Sequence, residues 1–103
     1  MSEQNTVVAQ VSEIKEGEIF ATVIDDVPVA LTRVGGVICA FGDICTHDDG
    51  PLAEGTIADG CVICPRHGAR FDLRSGKPSF PAVTPIPIYA VEVNGDDVVV
   101  KLA

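Results

Sequence analysis

Hydrophobic residues along this chain fall into short runs that are separated by polar or glycine-containing turns. Three runs come early and two come late, and they cover residues 19–24, 27–34, 37–41, 88–93 and 98–102. Asp25-Asp26 and Gly35-Gly36 separate the early runs, and Asn94-Gly95 begins the break between the late ones. Asn and Gly tolerate the positive φ that tight hairpin turns require. The pattern predicts antiparallel hairpins whose five strands form one sheet or small barrel.

Helical signals are weak throughout the chain. Ser12 to Gly17 can form a single capped turn, with Ser12 as the N-cap and Gly17 ending it. Valine and isoleucine together supply twenty-four residues, and seven prolines are too widely scattered for long helices. The sequence therefore predicts an all-β protein.

The segment 42–76, which lies between the early and late runs, has shorter hydrophobic runs and longer loops than the rest of the chain. Its strand candidates, 56–58 and 61–63, are short, and its loops hold both histidines and two of the four cysteines. A chain of 103 residues is the size of one compact domain with a single core. We expect a single domain, 1–103, in which residues 1–41 and 77–103 form the framework and residues 42–76 form a ligand-bearing insertion.

The charge balance narrows the choice of partners. Fifteen acidic against seven basic residues give a net charge of -8, which disfavours nucleic acids and anionic membrane surfaces and is compatible with a basic protein partner. The sequence contains no run of eighteen apolar residues, and its start lacks the basic and apolar regions of a signal peptide. We expect a cytoplasmic protein that does not associate with a membrane.

Two short motifs carry the candidate chemistry. Cys45-Thr46-His47 and Cys64-Pro65-Arg66-His67 are separated by sixteen residues and contain both histidines of the chain. Two thiolates and two imidazoles favour zinc or an iron–sulfur cluster over calcium or magnesium. Zinc would take all four ligands around one ion, whereas a 2Fe-2S cluster would place the sulfurs on one iron and the nitrogens on the other. The spacing does not exclude zinc, although the single residue in the first motif is short for a zinc knuckle.

Residues that flank the two motifs extend the pattern. Gly50-Pro51-Leu52 follows the first motif, and Gly68-Ala69-Arg70-Phe71-Asp72 with Gly76 follows the second. These two stretches resemble the cluster loops of Rieske iron–sulfur proteins, and the resemblance covers nearly the whole chain. It implies a Rieske fold, in which an antiparallel β framework, a sandwich or small barrel, carries an inserted cluster-binding subdomain.

The resemblance also implies a ligand set. Cys45 and Cys64 would bind one iron of a single Rieske-type 2Fe-2S cluster, and His47 and His67 would bind the other. A proline-containing loop, here residues 78–81, would lie over the cluster. Cys39 and Cys61 match no ligand position, and we interpret them as structural thiols.

Departures from the pattern indicate which kind of Rieske protein this is. Respiratory Rieske proteins carry disulfide-forming cysteines at the positions of Gly50 and Arg66, and hydroxyl donors at the positions of Ala69 and Phe71. Without these donors the more negative reduced state is less stabilised. We therefore predict a midpoint potential near the low end of the range of roughly -150 to +300 mV.

The resemblance is to the ferredoxin components of bacterial ring-hydroxylating dioxygenases. It implies a monomeric one-electron carrier that meets an NAD(P)H-dependent flavoprotein reductase and a terminal Rieske oxygenase transiently. We expect no catalytic site, because oxygen activation needs a further site of two histidines and a carboxylate, and both histidines are already assigned. Two alternatives are the small subunit of an assimilatory nitrite reductase and a structural zinc-binding module.

Overall fold

The computed structural model of the chain describes residues 5–46, 50–65, 68–79 and 82–101. Within these ranges the chain forms nine β-strands and two short 3-10 turns, so the predicted all-β class is confirmed. The strands are β1 (Asn5–Gln10), β2 (Phe20–Ile24), β3 (Val27–Val34), β4 (Val37–Gly42), β5 (Thr56–Ala58), β6 (Cys61–Ile63), β7 (Arg70–Asp72), β8 (Ile88–Asn94) and β9 (Asp97–Lys101). The 3-10 turns are Val11–Glu13 and Leu52–Glu54.

Six of the strands form one antiparallel sheet in the order β1-β9-β8-β4-β3-β2. Its two edge strands, β1 and β2, approach each other, so the sheet curls into a nearly closed barrel. The β2–β3–β4 and β8–β9 hairpins predicted from the sequence are confirmed. Among the residues described, no helix is long and apolar enough to cross a membrane.

Two-residue turns close these hairpins with the backbone that their sequences favour. Asp25 and Asp26 have φ of 49° and 67°, and Gly35 and Gly36 have φ of 58° and 83°. Positive φ at both central residues matches the right-handed twist of the flanking strands. In the β8–β9 hairpin Asn94 is the last strand residue and pairs with Asp97, so the turn consists of Gly95 and Asp96. Of these two residues only Gly95 has a positive φ, 63°.

The first segment of the chain differs from the prediction in two ways. β1 was not predicted, because its pairing partner, β9, lies about ninety residues away and leaves no local signal. The predicted helical turn from Ser12 to Gly17 is wrong, since a 3-10 turn begins at Val11 instead. The backbone N–H of Gln10 donates to Glu13 Oε1 at 2.8 Å, so Glu13 rather than Ser12 satisfies the start of the turn.

The remaining strands form a three-stranded antiparallel sheet in the order β5-β6-β7. β5 and β6 match the predicted strand candidates, and their turn at Asp59-Gly60 has positive φ at both residues. β7 was not predicted, because its sequence, Arg-Phe-Asp, has one apolar residue between two charged ones and no two-residue turn joins it to β6. This small sheet spans residues 56–72, between β4 and β8 of the barrel. The proposed domain boundaries remain a prediction.

The β3–β4 hairpin faces two separate hydrophobic cores. Leu31 and Ala40 pair across it and belong to the barrel core, which consists of Ala9, Ile14, Ile24, Val29, Leu31, Ala40, Val98 and Val100. Ala30 and Phe41 pair on the opposite face and belong to a second core. This second core, called the cysteine core below, contains Ala30, Phe41, Cys45, Leu52, Val62, Cys64, Ala69, Phe71, Leu73, Ala82 and Ile86. The hairpin is thus the wall between the barrel and the cysteine core.

Gly76 provides a test of this packing. A Cβ at this position would lie 2.2 Å from the carbonyl oxygen of Ile86, and its φ is +79°. We expect Gly76→Ala to lower the free energy of unfolding by about 2 kcal/mol or more, from the clash and the strained φ together. Gly95→Ala is the matched control: its φ is +63° but no atom lies within 4 Å, so strain alone should cost about 1 kcal/mol. Chemical denaturation measures both, and equal losses would contradict the packing argument.

Candidate metal centre

Cys45 and Cys64 are both buried in the cysteine core. Cys45 follows the end of β4 and is 0% exposed, and Cys64 directly follows β6 and is 2% exposed. Leu52, Val62 and Phe71, each 0% exposed, belong to the same core. None of the four cysteines, all of which lie in the described ranges, forms a disulfide. The structure therefore places the two thiols of the sequence motifs in a common apolar interior.

The two loops that follow these cysteines are closed in the same way. The backbone N–H of Cys45 donates to the carbonyl oxygen of Gly50 at 2.7 Å, and that of Cys64 donates to Ala69 at 2.8 Å. Each hydrogen bond joins residues five apart and pulls both ends of its loop together. Gly68 helps the second loop to turn back, with φ of +72° and its N–H donating to the Cys64 carbonyl oxygen at 3.1 Å. The chain thus presents two short loops of equal length, each anchored by a buried cysteine.

Contacts with the rest of the fold brace the first loop. The N–H of Asp43 donates to the carbonyl oxygen of Pro28 at 3.1 Å, and its Oδ1 accepts from the N–H of Ala53 at 2.7 Å. Asp43 therefore connects β3 to the 3-10 turn that follows the loop. This role of Asp43 could not be predicted from the sequence, because a single Asp before a motif is most often solvent-exposed.

The two predicted histidine ligands, His47 and His67, lie outside the described residues. The same holds for Arg66 and for Pro81 of the predicted covering loop. Among the residues that the structure describes, no group of three His, Cys, Asp or Glu side chains is placed to hold a metal ion. The four-residue ligand set therefore stays a prediction, of which the structure places the two sulfur donors.

Cys39 and Cys61 are only partly buried, unlike Cys45 and Cys64. Burial raises the pKa of the Cys39 thiol, and nearby Arg74 offsets part of this effect. Burial also raises the pKa of the Cys61 thiol, with a further contribution from the carboxylate of Asp72. Both thiols are therefore protonated at neutral pH, as an ordinary cysteine thiol also is.

A cavity of about 500 Å³ lies away from the cysteine loops. It opens between the tip of the β3–β4 hairpin and the β5–β6 turn, and Cys39, Asp59 and Arg74 are among its lining residues. Neither Cys45 nor Cys64 lines it. The candidate metal centre is therefore distinct from this cavity.

The donor chemistry of the two buried cysteines fits an iron–sulfur centre. Two thiol sulfurs enclosed by aliphatic and aromatic side chains supply the soft ligands that such a centre requires. A protein-family model, the Rieske [2Fe-2S] domain, matches residues 4–90. The chain belongs to the Rieske family.

Curated relatives of this Rieske protein are ferredoxin components of dioxygenases. The 3-phenylpropionate/cinnamic acid dioxygenase ferredoxin subunit of Shigella boydii is 40% identical over 95 residues, which cover 89% of this chain and 88% of the relative. The anthranilate 1,2-dioxygenase ferredoxin subunit of Burkholderia cepacia is 34% identical over 93 residues, covering 89% of this chain and 86% of the relative. The family predicted from the sequence is confirmed.

Solved structures agree in fold with this Rieske protein. The ferredoxin of carbazole 1,9a-dioxygenase from Nocardioides aromaticivorans IC177 is similar with a TM-score of 0.89 and 31% identity, over 94% of this chain and 96% of that one. A chain in the complex of reduced oxygenase and oxidised ferredoxin in carbazole 1,9a-dioxygenase is similar with a TM-score of 0.88 and 32% identity. The match covers 97% of this chain and 94% of that one. The predicted Rieske fold is confirmed.

The two alternative functions gain less from these comparisons. A nitrite reductase small subunit from Mycobacterium tuberculosis has a TM-score of 0.89 but only 20% identity, over 100% of this chain and 98% of that one, so it shares the fold alone. The family match is to an iron–sulfur domain, which gives no support to a structural zinc module. The ferredoxin interpretation is therefore the better supported one.

Proposed function

We propose that this Rieske protein is the ferredoxin of a multicomponent ring-hydroxylating oxygenase system. The observation that carries the proposal is the pair of loops of equal length, each anchored by a buried cysteine. The ferredoxin relatives support it, because they match this chain over nearly their whole length. Its electron donor is an NAD(P)H-dependent flavoprotein reductase and its acceptor is a terminal Rieske oxygenase. It acts as a monomer in the cytoplasm and meets both partners transiently.

The ligand set is the one that the sequence predicts. Cys45 and Cys64 would hold one iron of a 2Fe-2S cluster, and His47 and His67 would hold the other. When bound, such a cluster supplies reversible one-electron chemistry, with two neutral imidazoles raising its potential above that of all-cysteine ferredoxins. The chain itself anchors Cys45 and Cys64 by the backbone hydrogen bonds that close their loops, and the apolar side chains of the cysteine core surround them. With both histidines used as ligands, the chain has no catalytic site of its own.

The surface around the loops suits brief contact with a protein partner. Pro51, Pro65, Val83 and Pro85 are all exposed here and carry no charge, and Val83 is 83% exposed. Exposed apolar side chains of this kind allow close approach of a partner with little charge to desolvate at these four positions, while Asp48, Asp49 and Arg66 of the same loops lie outside the described residues. We infer that both partners dock at this end of the molecule.

Reconstitution tests the proposed function. NADH, a dioxygenase flavoprotein reductase, this protein and cytochrome c are combined, and cytochrome c reduction is followed. We expect the rate to rise in proportion to the concentration of this protein. A rate independent of its concentration, with the loaded protein present, would contradict the carrier function.

A charge at Val83 should slow electron transfer in this assay. We expect Val83→Glu to lower the rate by about tenfold, because the partner must then desolvate a carboxylate at the contact. Val37→Glu is the matched control, since Val37 is 63% exposed but lies at the tip of the β3–β4 hairpin, away from the cysteine loops. Equal effects of the two variants would place the docking surface elsewhere.

Replacement of single cysteines should separate ligands from structural thiols. Cys45→Ser and Cys64→Ser should lose most of the bound iron, because a serine hydroxyl is a poor substitute for a thiolate on iron. Cys39→Ser and Cys61→Ser should keep it. Iron analysis and the visible spectrum of the purified variants measure this, and iron loss in either control would reopen the assignment.

Hydroxyl donors near the cysteines should raise the midpoint potential. Ala69 and Phe71 are fully buried in the cysteine core and offer no hydroxyl. A hydrogen bond to a charged acceptor contributes about 1.5 kcal/mol or more, and for one electron about 1.4 kcal/mol corresponds to 59 mV. We expect Ala69→Ser to raise the midpoint by about 60 mV, Phe71→Tyr to shift it in the same direction, and Ala53→Ser, in the 3-10 turn, to leave it unchanged. If a redox titration shows that the midpoint potential of the Ala69 variant is lower than or equal to that of the parent protein, this explanation of a low potential is refuted.

A further inference from the structure

The face of the β3–β4 hairpin that carries Phe41 continues past the cysteine core towards the hairpin tip. Cys39 and Val37 follow on the same face, because the side chains of a strand alternate between its two sides. Val34 pairs with Val37 and shares this face. Phe41 is fully buried, whereas Val37 is 63% exposed. The small sheet thus covers the base of this face, and the cavity of about 500 Å³, called the tip cavity below, lies at its outer end.

Two turns of the small sheet form the other wall of the tip cavity. Gly60 lies in the β5–β6 turn, and Leu73 and Arg74 lie in the turn that follows β7. The N–H of Leu73 donates to the carbonyl oxygen of Gly60 at 3.0 Å, so the two turns are joined. Leu73 is 3% exposed and also belongs to the cysteine core. It therefore lies between the tip cavity and the interior that holds Cys45 and Cys64.

The charged groups that line the tip cavity differ in how they are satisfied. Asp72 Oδ1 accepts from the backbone N–H groups of Arg74 at 2.7 Å and Ser75 at 3.2 Å. Asp59 Oδ2 lies 3.8 Å from Nη1 of Arg70, so a neighbouring cation offsets its charge. The guanidinium of Arg74 forms no ion pair with any residue that the structure describes. The cavity therefore has a cation that a carboxylate from outside the chain can pair with.

We propose that the tip cavity binds a small organic acid, with its carboxylate on Arg74 and its apolar body between Val34 and Leu73. A guanidinium binds a carboxylate through two parallel hydrogen bonds, and a cavity of this volume is within the range of small-molecule sites. An inorganic anion would pair with Arg74 but would leave the apolar walls in contact with water, so the ligand needs an apolar body as well as a charge. This site is additional to the electron-carrier function and does not depend on bound iron.

The position of the tip cavity separates it from the proposed docking surface. β4 runs from Val37, which lines the cavity, to Gly42, and Cys45 follows three residues later. The cavity and the first cysteine loop therefore lie at opposite ends of this strand. A ligand in the cavity leaves the exposed residues near the cysteine loops free to contact a protein partner.

A chemical-shift titration of the ¹⁵N-labelled, oxidised holoprotein tests this site, with 2-naphthoate as the probe. We expect a Kd of about 1 mM, with the largest shifts at the amides of Gly60, Leu73 and Arg74. Acetate has the charge without the ring, and naphthylmethylammonium has the ring with the opposite charge. Each should bind at least about fivefold more weakly. Unshifted amides at about ten times the expected Kd, or equal binding of all three compounds, would overturn the proposal.

Two variants that remove a positive charge test the role of Arg74. Arg74→Gln should weaken naphthoate binding about fivefold, because an exposed ion pair with the carboxylate is lost. Lys77→Gln removes the same charge at an exposed residue that does not line the cavity, and it should leave the Kd within about twofold of that of the parent protein. Equal losses in the two variants would reduce the effect to net charge and overturn the site.

A variant that fills the tip cavity tests its apolar walls. Cys39→Phe places a ring in the cavity and should abolish naphthoate binding. Val23→Phe, at a residue of β2 that is 65% exposed, adds a ring outside the cavity and should bind naphthoate as the parent protein does. Undiminished binding in Cys39→Phe would overturn the proposal. If Cys39→Phe does not fold, the comparison of Arg74→Gln with Lys77→Gln still decides it.

Discussion

The shared burial of Cys45 and Cys64 is the constraint on which the rest of the structure depends. Two thiols that follow different strands occupy one apolar interior, with exposures of 0% and 2%. Their loops are closed by equivalent hydrogen bonds of 2.7 and 2.8 Å. Bringing the ends of β4 and β6 together in this way requires the small sheet to pack against the outside of the barrel. The fold can therefore be understood as a means of holding Cys45 and Cys64 in one apolar interior.

The β3–β4 hairpin makes this arrangement possible because both of its faces are buried. Leu31 and Ala40 fill the barrel on one side, and Ala30 and Phe41 support the cysteine core on the other. A wall shared by two cores ties the position of the loops to the stability of the barrel. Side chains supported by such a wall are held by two packed interiors, which would limit rearrangement at the proposed centre when its charge changes.

Local patterns predicted most of the barrel, and the motifs singled out the two cysteines that the structure buries in one core. The hairpins at Asp25-Asp26 and Gly35-Gly36 followed from alternating runs and turn residues, which are local properties. β1 was not predicted because its partner is at the other end of the chain, and β7 was not predicted because its one apolar residue lies between two charged ones with no tight turn before it. A hydrogen bond from Thr46 Oγ1 to the carbonyl oxygen of Thr84 joins residues 38 apart, and no spacing rule connects a hydroxyl to a distant backbone carbonyl. The motif thus predicts which residues carry the chemistry, while the contacts that position them depend on the folded chain.

Low-temperature electron paramagnetic resonance, with iron and zinc analysis of the same sample, tests the central claim most directly. The protein is purified without oxygen and measured first oxidised and then after reduction with dithionite. A centre with two cysteine and two histidine ligands predicts two irons per chain, a silent oxidised sample, and a reduced signal whose average g is lower than that of all-cysteine clusters. One zinc per chain with no signal in either state would contradict the account.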